Sequence, residues 1–213
     1  MLTTVAAGRV YTFSHAVGRV LMGGAAFNHP TGLALGPDGL MYVVNRGGST
    51  STRICKFTIG GPLEEEFICE FGHYGEDNGQ LVWPASVALD KKGNVYVNDD
   101  WLQQVSIFDS DGNFLDKWGH PGIGDGELDR PSGMVFDREE NLLIVDGGNN
   151  RVQRFTKDGR FLDKFGAPGY GECQFNEPWG ITIDNEDNIY IADWKNHRVQ
   201  KLSSDGSFIA SFG

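Results

Sequence analysis

The sequence predicts an all-β fold made of repeated four-stranded antiparallel units. The first observation is the stretch 178–213, in which short alternating runs rich in β-branched and aromatic residues are separated by polar turns. The second is the pair Asp205-Gly206 between two such runs, a strong hairpin signal. The third is the lack of a sustained 3.6-residue period, which argues against helices as the main element.

The same unit recurs upstream at a nearly constant length. Each unit opens on a proline, and successive opening prolines are 54, 47 and 47 residues apart. Each unit closes on an aromatic-glycine pair, and each next opening proline lies 12 positions after the closing glycine. Repeats of this length with four strands each are typical of β-propeller blades. The predicted blades span residues 30–72, 84–119, 131–166 and 178–213.

An isolated outer strand is predicted at residues 10–18, before the first blade. Phe13 to Gly18 matches the last strand of the third blade at an offset of 148 residues. Such a strand commonly completes a blade begun by the other terminus, but no three-stranded partner follows the fourth blade. We therefore expect residues 1–213 to be a single domain that is incomplete at the C-terminus, a fragment or truncated reading frame of a six-bladed ring. The open ends of such an arc predict self-association.

The composition argues against several classes of protein. A formal net charge of -11 at pH 7 disfavours a nucleic-acid partner, which requires clustered Lys and Arg. Three cysteines are too few for a disulfide-stapled scaffold. No leader peptide is recognisable before residue 24, and no apolar run approaches the roughly 20 residues of a spanning helix. We therefore expect a soluble, cytoplasmic protein without a membrane partner.

Residues of the last unit resemble a known repeat family. The run from Asn196 to Lys201, together with the run from Asn188 to Asp193, is similar to the NHL repeat. The third blade is similar with the histidine replaced, and the first two blades depart further. The resemblance covers nearly the whole chain and implies a six-bladed propeller. Family members typically bind proteins or RNA, and a few related propellers are lyases or hydrolases, so the resemblance is specific for fold and not for function.

Two Asp–Arg pairs are candidates for either catalysis or architecture. Asp146 and Arg151 in the third blade have the same spacing as Asp193 and Arg198 in the fourth. A pair that recurs at one spacing in successive blades is expected to tie the end of strand two to strand three. We therefore predict a structural ion pair. In the second blade Gln104 replaces the arginine and is expected to hydrogen-bond the corresponding aspartate.

The sequence carries no recognisable catalytic or metal site. Propellers similar to the peptidyl-amidating lyases hold zinc through histidines directly after the opening prolines. Here those positions are Thr31, Ala85, Ser132 and Trp179. We therefore predict no catalytic residue, no metal and no cofactor. A lyase or hydrolase that acts on a ligand in the central channel is the alternative function.

Cys55 and Cys69 fall on the third and fourth strands of the first blade. By analogy with the third blade, they are expected roughly opposite each other. They form either a cross-strand disulfide, if the protein meets an oxidising environment, or two free thiols.

Aromatic residues that differ between blades predict a binding face. In an up-and-down blade, the loops before strand one and the loops between strands two and three lie on one face. Because Trp and Tyr dominate binding hot spots, we expect this face to bind a protein or peptide partner. The alternative is that some of these rings pack between blades. The predicted face consists of Trp83, Trp101, Trp179, Trp194, His73, His120, Tyr74 and Tyr170.

Overall fold

The computed structural model describes residues 27–59 and 66–213, and the backbone of two short N-terminal strands. These strands, β1 (Thr3–Ala6) and β2 (Arg9–Thr12), pair antiparallel in a two-stranded sheet of their own. Residues 10–12 of the predicted outer strand therefore pair locally with β1, the segment just before them in the chain. Residues 13–18 of that prediction lie outside the described residues.

Each blade is a four-stranded antiparallel sheet whose strands follow chain order. Blade one contains β3 (Pro30–Leu35), β4 (Met41–Asn45), β5 (Arg53–Phe57) and β6 (Phe67–Phe71). Blade two contains β7 (Pro84–Leu89), β8 (Val95–Asp99), β9 (Gln104–Phe108) and β10 (Phe114–Trp118). Blade three contains β11 (Pro131–Phe136), β12 (Leu142–Asp146), β13 (Arg151–Phe155) and β14 (Phe161–Phe165). After the short parallel pair β15 (Ala167–Pro168) and β16 (Gln174–Phe175), blade four contains β17 (Pro178–Ile183), β18 (Ile189–Asp193), β19 (Arg198–Leu202) and β20 (Phe208–Phe212).

The blades stand side by side in a propeller arrangement. The first strands are neighbours, β3 beside β7, β7 beside β11, and β11 beside β17, so they line the inner side of the arc. Two single-turn 3-10 helices, Gly48–Thr50 and Trp194–Asn196, lie in the loops after strand two of blades one and four. The structure confirms the all-β fold with four antiparallel four-stranded blades, and the six-bladed ring stays a prediction.

Aspartates fix the turns between strands one and two. Asp90 Oδ1 accepts hydrogen bonds from the backbone amides of Lys92 and Asn94, each at 2.9 Å. Asp137 and Asp184 accept the equivalent bond from the amide four residues later, at 2.8 and 2.9 Å. A side-chain oxygen that accepts from nearby amides is an Asx-type turn, so these carboxylates have an architectural partner.

Each blade has a leading face, toward the next blade in the chain, and a trailing face, toward the preceding blade. Between blades three and four, Leu143, Val145 and Val152 of the leading face pack with Ile189 and Ile191 of the trailing face. All five side chains are at most 1% exposed. The first two interfaces have the same construction. Their leading-face residues are Tyr42, Val44 and Ile54, and Ala88, Tyr96 and Val105; their trailing-face residues are Val87, Val95 and Val97, and Met134, Leu142 and Ile144.

The aromatic residue that closes a blade packs on the hairpin glycine between strands three and four of the next blade. A Cβ added to these glycines would lie 2.4–2.6 Å from the ring. The glycines also have φ between 83° and 86°, in the left-handed region. Both constraints demand glycine at this point of the hairpin. The pairs are Phe71 with Gly112, Trp118 with Gly159, and Phe165 with Gly206.

We expect Gly159→Ala to destabilise the fold more than Gly39→Ala. Both glycines have positive φ, 83° and 76°, so each substitution introduces left-handed strain of about 1–2 kcal/mol. At Gly39 no atom lies within 4 Å of the added Cβ, whereas at Gly159 the Cβ meets the ring of Trp118. Overpacking there adds about 1–3 kcal/mol. Urea unfolding of both variants measures the difference, and equal losses would contradict the packing role of Gly159.

Candidate functional site

The buried Asp–Arg pair of blade three fastens the preceding inter-blade loop. Arg151 Nε donates to Asp146 Oδ2 at 2.7 Å, and Nη2 donates to the carbonyls of Gly124 and Glu127 at 2.6 and 3.1 Å. The second Asp146 oxygen accepts the backbone amide of Asp129 at 2.7 Å. Burial raises the pKa of Asp146, and the loop amide and the guanidinium oppose this effect. Both oxygens of Asp146 and two of the three guanidinium nitrogens of Arg151 are therefore bonded within the scaffold.

Blade four repeats this arrangement. Arg198 Nε donates to Asp193 Oδ2 at 2.8 Å, and Nη2 donates to the carbonyls of Gly171 and Gln174 at 2.6 and 2.9 Å. Asp193 is fully buried, and its other oxygen accepts the amide of Asn176 at 2.8 Å. The geometry of both pairs is that of a tie between loop and strands.

Blade two differs from the expectation for Gln104. In the described structure Asp99 receives no hydrogen bond from that side chain. Its two oxygens accept from four backbone amides instead, at 2.7–3.1 Å. Four amide donors satisfy the carboxylate without a cation. These donors belong to Val82, Trp83, Trp101 and Leu102.

We expect Arg151→Met to lower the free energy of unfolding by about 3–5 kcal/mol, because it leaves the buried Asp146 carboxylate without its cation. The matched control is Arg138→Met, which removes an exposed ion pair with Asp187 at 3.2 Å and should cost at most about 1 kcal/mol. Thermal and denaturant unfolding measure both losses. A small loss at Arg151, equal to that of the control, would contradict a structural role for the pair.

The residues after the opening prolines serve the contacts between blades. Thr31 Oγ1 donates to the carbonyl of the next blade's opening proline at 2.9 Å, and Ser132 Oγ makes the equivalent bond at 3.3 Å. Ala85 is buried, whereas Trp179 is 48% exposed. The hydroxyl groups of Thr31 and Ser132 are therefore both engaged by the backbone.

A groove of about 310 Å³ runs between the first strands of the blades. Side chains from all four blades line it, and all are apolar except one threonine. The groove can accommodate an apolar group. Its lining is Leu33, Ala34, Val87, Ala88, Leu89, Met134, Val135, Phe136, Ile181 and Thr182.

The structure brings four of the five tryptophans together in two pairs. Trp83 and Trp101 meet edge to face in blade two, with ring centroids 4.9 Å apart. Trp179 and Trp194 do the same in blade four at 6.3 Å. These four side chains are between 41% and 57% exposed. The guanidinium of Arg46 lies 4.5 Å from the Trp83 ring centre, a cation–π contact.

Charged residues of alternating sign accompany the tryptophan pairs. Arg46 is 3.4 Å from the carboxylate of Asp100. Glu177 is 4.0 Å from Arg130 and 2.5 Å from Lys195. Burial raises the pKa of Asp100, although the Arg46 guanidinium opposes the shift. We call the combined surface the rim; it consists of Arg46, Trp83, Asp100, Trp101, Arg130, Glu177, Trp179, Trp194 and Lys195.

A cleft of about 60 Å³ connects the two halves of the rim across blade three. Asp100 and Arg130 line one part of it, and Glu177 and Trp179 line the other. The cleft exists because Gly147, which begins the loop after strand two, carries no side chain. The equivalent positions of the other blades hold Arg46, Asp100 and Trp194.

The predicted histidines and tyrosines lie in the inter-blade loops. His73 and His120 are exposed, and His120 Nε2 is 3.7 Å from a Glu127 oxygen. Tyr74 is 43% exposed and Tyr170 is 78% exposed. The ring contacts that build the two tryptophan pairs do not include these four side chains. Within residues 27–59 and 66–213, no group of three or more His, Cys, Asp or Glu side chains is placed to hold a metal ion.

The expected position of the two cysteines is shifted by one residue. Across strands β5 and β6, Cys69 lies opposite Lys56, and Cys55 lies opposite Glu70. Both thiols are free. A one-residue change of register turns a side chain to the other face of the sheet, so the two sulfur atoms belong to opposite faces.

Sequence reasoning found the tryptophans and missed the charges between them. The signal was present, because the residue before each opening proline differs in every blade: His29, Trp83, Arg130 and Glu177. The residue after the Asp or Asn that closes strand two differs as well. Only the fold shows that these two sets are neighbours: the amide of Arg46 donates to the carbonyl of His29, and the amide of Asp100 donates to that of Trp83.

We expect Asp100 to titrate above the roughly 3.9 of an exposed aspartate. Protonation removes its ion pair with Arg46, which lies over Trp83, so the tryptophan fluorescence should change in the same pH step. Because the folded pKa is raised, this group reduces the stability as the pH rises through its titration. Acid titration by fluorescence, with Asp100→Asn as the control, tests this assignment. A step that persists in the variant contradicts it.

In the described part of the chain, no helix is long and apolar enough to span a membrane. The family model of the NHL repeat matches residues 175–202. No curated protein matches the chain.

Several solved structures are similar to the chain in fold. Virginiamycin B lyase from Staphylococcus aureus has 15% identity and a TM-score of 0.62, over 86% of this chain and 55% of that chain. A Bacteroides caccae protein of unknown function has 18% identity and a TM-score of 0.66, over 88% and 69%. Hydrazine synthase from Kuenenia stuttgartiensis has 13% identity and a TM-score of 0.61, over 92% and 52%. The chain spans about half the length of the first of these structures.

The matched NHL repeat coincides with a structural feature of blade four. The repeat model matches the loop before blade four and its first three strands, the part of the chain that contains the Asp193–Arg198 tie. The same tie occurs in blade three, and the blades stand side by side as in a propeller. Residues 175–202 thus match an NHL repeat, and the described residues form four blades in a β-propeller arrangement.

Proposed function

We propose that the protein is a non-catalytic binding scaffold and that the rim binds a protein or peptide partner. The observation that carries the proposal is the pair of tryptophan clusters, Trp83 with Trp101 and Trp179 with Trp194, which stay half-exposed. The exposed parts of these four rings are apolar surface that a bound partner can cover. Tryptophan is one of the residue types enriched in binding hot spots.

The position of the rim supports the same proposal. The buried Asp–Arg ties repeat between blades and hold the scaffold, whereas every rim residue occupies a position at which the blades differ. Loops on a rigid β-scaffold are the usual location of binding residues. A specific binding face requires variation of this kind between otherwise similar blades.

The charges of the rim favour a polar, extended partner over a purely apolar one. Arg46, Arg130 and Lys195 alternate with Asp100 and Glu177, and several of these side chains remain partly exposed. A peptide can contact such a series of charges with both its backbone and its side chains. Nucleic acid is disfavoured, because the net charge of -11 repels phosphate.

A lyase or hydrolase that acts on a ligand in the central channel is the second candidate. The apolar groove between the first strands is the observation that favours it. Against it, the hydroxyl groups of Thr31 and Ser132 already donate to backbone carbonyls. The likeness to virginiamycin B lyase concerns the fold alone.

Selection from a phage-displayed library of random peptides tests the binding function. We expect peptides to be enriched on the wild-type protein. Trp101→Ala and Trp194→Ala should each weaken the enriched peptides by more than about 1 kcal/mol, at least about fivefold in Kd. Both rings are more than half exposed, so the thermal stability should change little.

Leu115→Ala is the matched control, because Leu115 is 51% exposed on β10 and lies outside the rim. Enriched peptides that bind both tryptophan variants as well as they bind the control would contradict the rim as the site, and so would a selection without enrichment. Elemental analysis for zinc and calcium separates the two functions. A stoichiometric metal, lost together with a ligand-dependent change in fluorescence, would favour the enzyme.

A further inference from the structure

Blade three lacks a tyrosine that the other three blades share. The second residue of strand two is Tyr42, Tyr96 or Tyr190 in blades one, two and four, and it is Leu143 in blade three. The pairing of strand two with strand three is the same in all four blades, so these residues occupy one position of the fold. Blade three is therefore without an aromatic ring and a hydroxyl group at this position.

Blade four shows which groups surround the tyrosine. Tyr190 Oη donates to Asp184 Oδ2 at 3.0 Å, and Lys201 Nζ lies 5.2 Å from the centre of the ring. Lys201 Nζ is also 3.6 Å from Asp184 Oδ2. In blade one the same cation–π contact joins Lys56 to the Tyr42 ring at 5.1 Å. The phenol group of this position thus lies between a carboxylate and a cation.

Blade three keeps the carboxylate and the cation. Asp137 and Arg154 occupy the positions of the blade-four aspartate and lysine, and Asp137 Oδ2 lies 3.7 Å from Arg154 Nε. The guanidinium is held in place, because Nη1 donates to Asp163 Oδ2 at 3.1 Å and Nη2 donates to the carbonyl of Ser204. Its Nε is buried and donates no hydrogen bond to any residue that the structure describes. The surroundings of a phenol are therefore present without the phenol.

A cavity of about 210 Å³ lies at this place, between blades three and four. Asp137, Leu143 and Arg154, which correspond to the three groups of the blade-four arrangement, all line it. Blade four contributes the partly buried Ile183 as further apolar surface. Since an apolar cavity of about 150 Å³ holds a benzene ring, the cavity has room for one aromatic ring with a short substituent.

The charges around the cavity favour a cationic ligand. The lining contains two guanidinium groups and four carboxylates, those of Arg138, Arg154, Asp137, Glu139, Asp187 and Asp205. Arg138 is paired with Asp187 at 3.2 Å, and Arg154 lies beside Asp137. Glu139 and Asp205 are exposed and form no ion pair within residues 27–59 and 66–213. Two carboxylates thus remain for a positive charge that enters from the solvent.

We propose that this cavity binds a small phenol that carries a positively charged substituent. The ring takes the place that the tyrosine ring has in the other blades, next to Leu143. The phenol oxygen donates to Asp137 Oδ2 and accepts from Arg154 Nε, because a phenolic hydroxyl is both a donor and an acceptor. The cationic substituent points toward Glu139 and Asp205. The site lies at the ends of the strands opposite to the rim, so it is separate from the proposed peptide site.

Isothermal titration calorimetry with tyramine, a phenol with an aminoethyl group, tests this site. Tyramine should bind with a stoichiometry of one. Phenethylamine, which lacks the hydroxyl group, should bind at least about tenfold more weakly, because a hydrogen bond to a charged group is lost. Para-hydroxyphenylacetate, which carries a carboxylate in place of the amine, should also bind at least about tenfold more weakly, because it meets carboxylates of the same charge.

Leu143→Tyr restores the residue of the other blades and provides the most direct variant. Its ring should fill the place of the ligand and raise the Kd of tyramine at least about tenfold. The variant should remain folded, because tyrosine is present at this position in the other three blades. Leu115→Tyr is the matched control, since it makes the same change at a side chain that is 51% exposed on β10 and lies outside the cavity. This control should bind tyramine as the wild type does.

Three results would overturn the proposal: no saturable binding of tyramine below about 10 mM, equal affinities for tyramine and phenethylamine, or unchanged binding by Leu143→Tyr. Circular dichroism establishes that each variant is folded. If Leu143→Tyr does not fold, Asp137→Asn replaces it, because the amide oxygen can still accept from the Asn141 amide. That variant should weaken tyramine more than phenethylamine, and an equal loss for both ligands would contradict the assigned hydrogen bond.

Discussion

The closing Asp or Asn of strand two, buried under the loop that enters the same blade, is the interaction on which the structure depends. Asn45, Asp99, Asp146 and Asp193 are all fully buried. Each accepts a backbone amide of the incoming loop, at 2.7–2.9 Å. A carboxylate that receives several amide donors keeps its charge satisfied without water, so the loop has one defined path. In blades three and four an arginine adds the carbonyls of the same loop to the network.

The same interaction determines where variation is allowed. In the loop before blade two, the amides bound by Asp99 belong to Val82 and Trp83. Leu81, fully buried, enters the apolar core just before them, and the indole of Trp83 points into the rim just after them. Core, tie and rim are therefore consecutive in the chain. A substitution of the Trp83 side chain changes the rim surface and leaves the backbone amide that Asp99 binds in place. The side chain of this residue therefore serves binding, and its backbone serves stability.

The sequence predicts the blades well, because each one is a local structure. The proline and aromatic-glycine spacing gives the strand ends, and the Asp-Gly turns give the hairpins. Contacts between blades are harder to predict from the sequence. Arg46 and Asp100 are 54 residues apart in different blades, and only the packing of β3 beside β7 brings their loops together. Cys55 and Cys69 show the limit within one blade, since the irregular pairing after Lys56 shifts the expected register by one residue.

Exposure is the property that the strand sequence predicts least. Leu142 to Asp146 of β12 is buried at every residue, whereas Ile189 to Asp193 of β18 alternates between buried and partly exposed. Both strands are apolar on both faces, because a central strand of a blade packs against a neighbouring blade on each side. The alternation in β18 therefore reflects how far each face of the blade is covered, and not the composition of the strand. An apolar face of this kind has a free-energy cost in water that grows with its area, at about 25 cal/mol per Å². The free energy gained by covering such a face comes from the same kind of apolar side chains that pack between blades one to four.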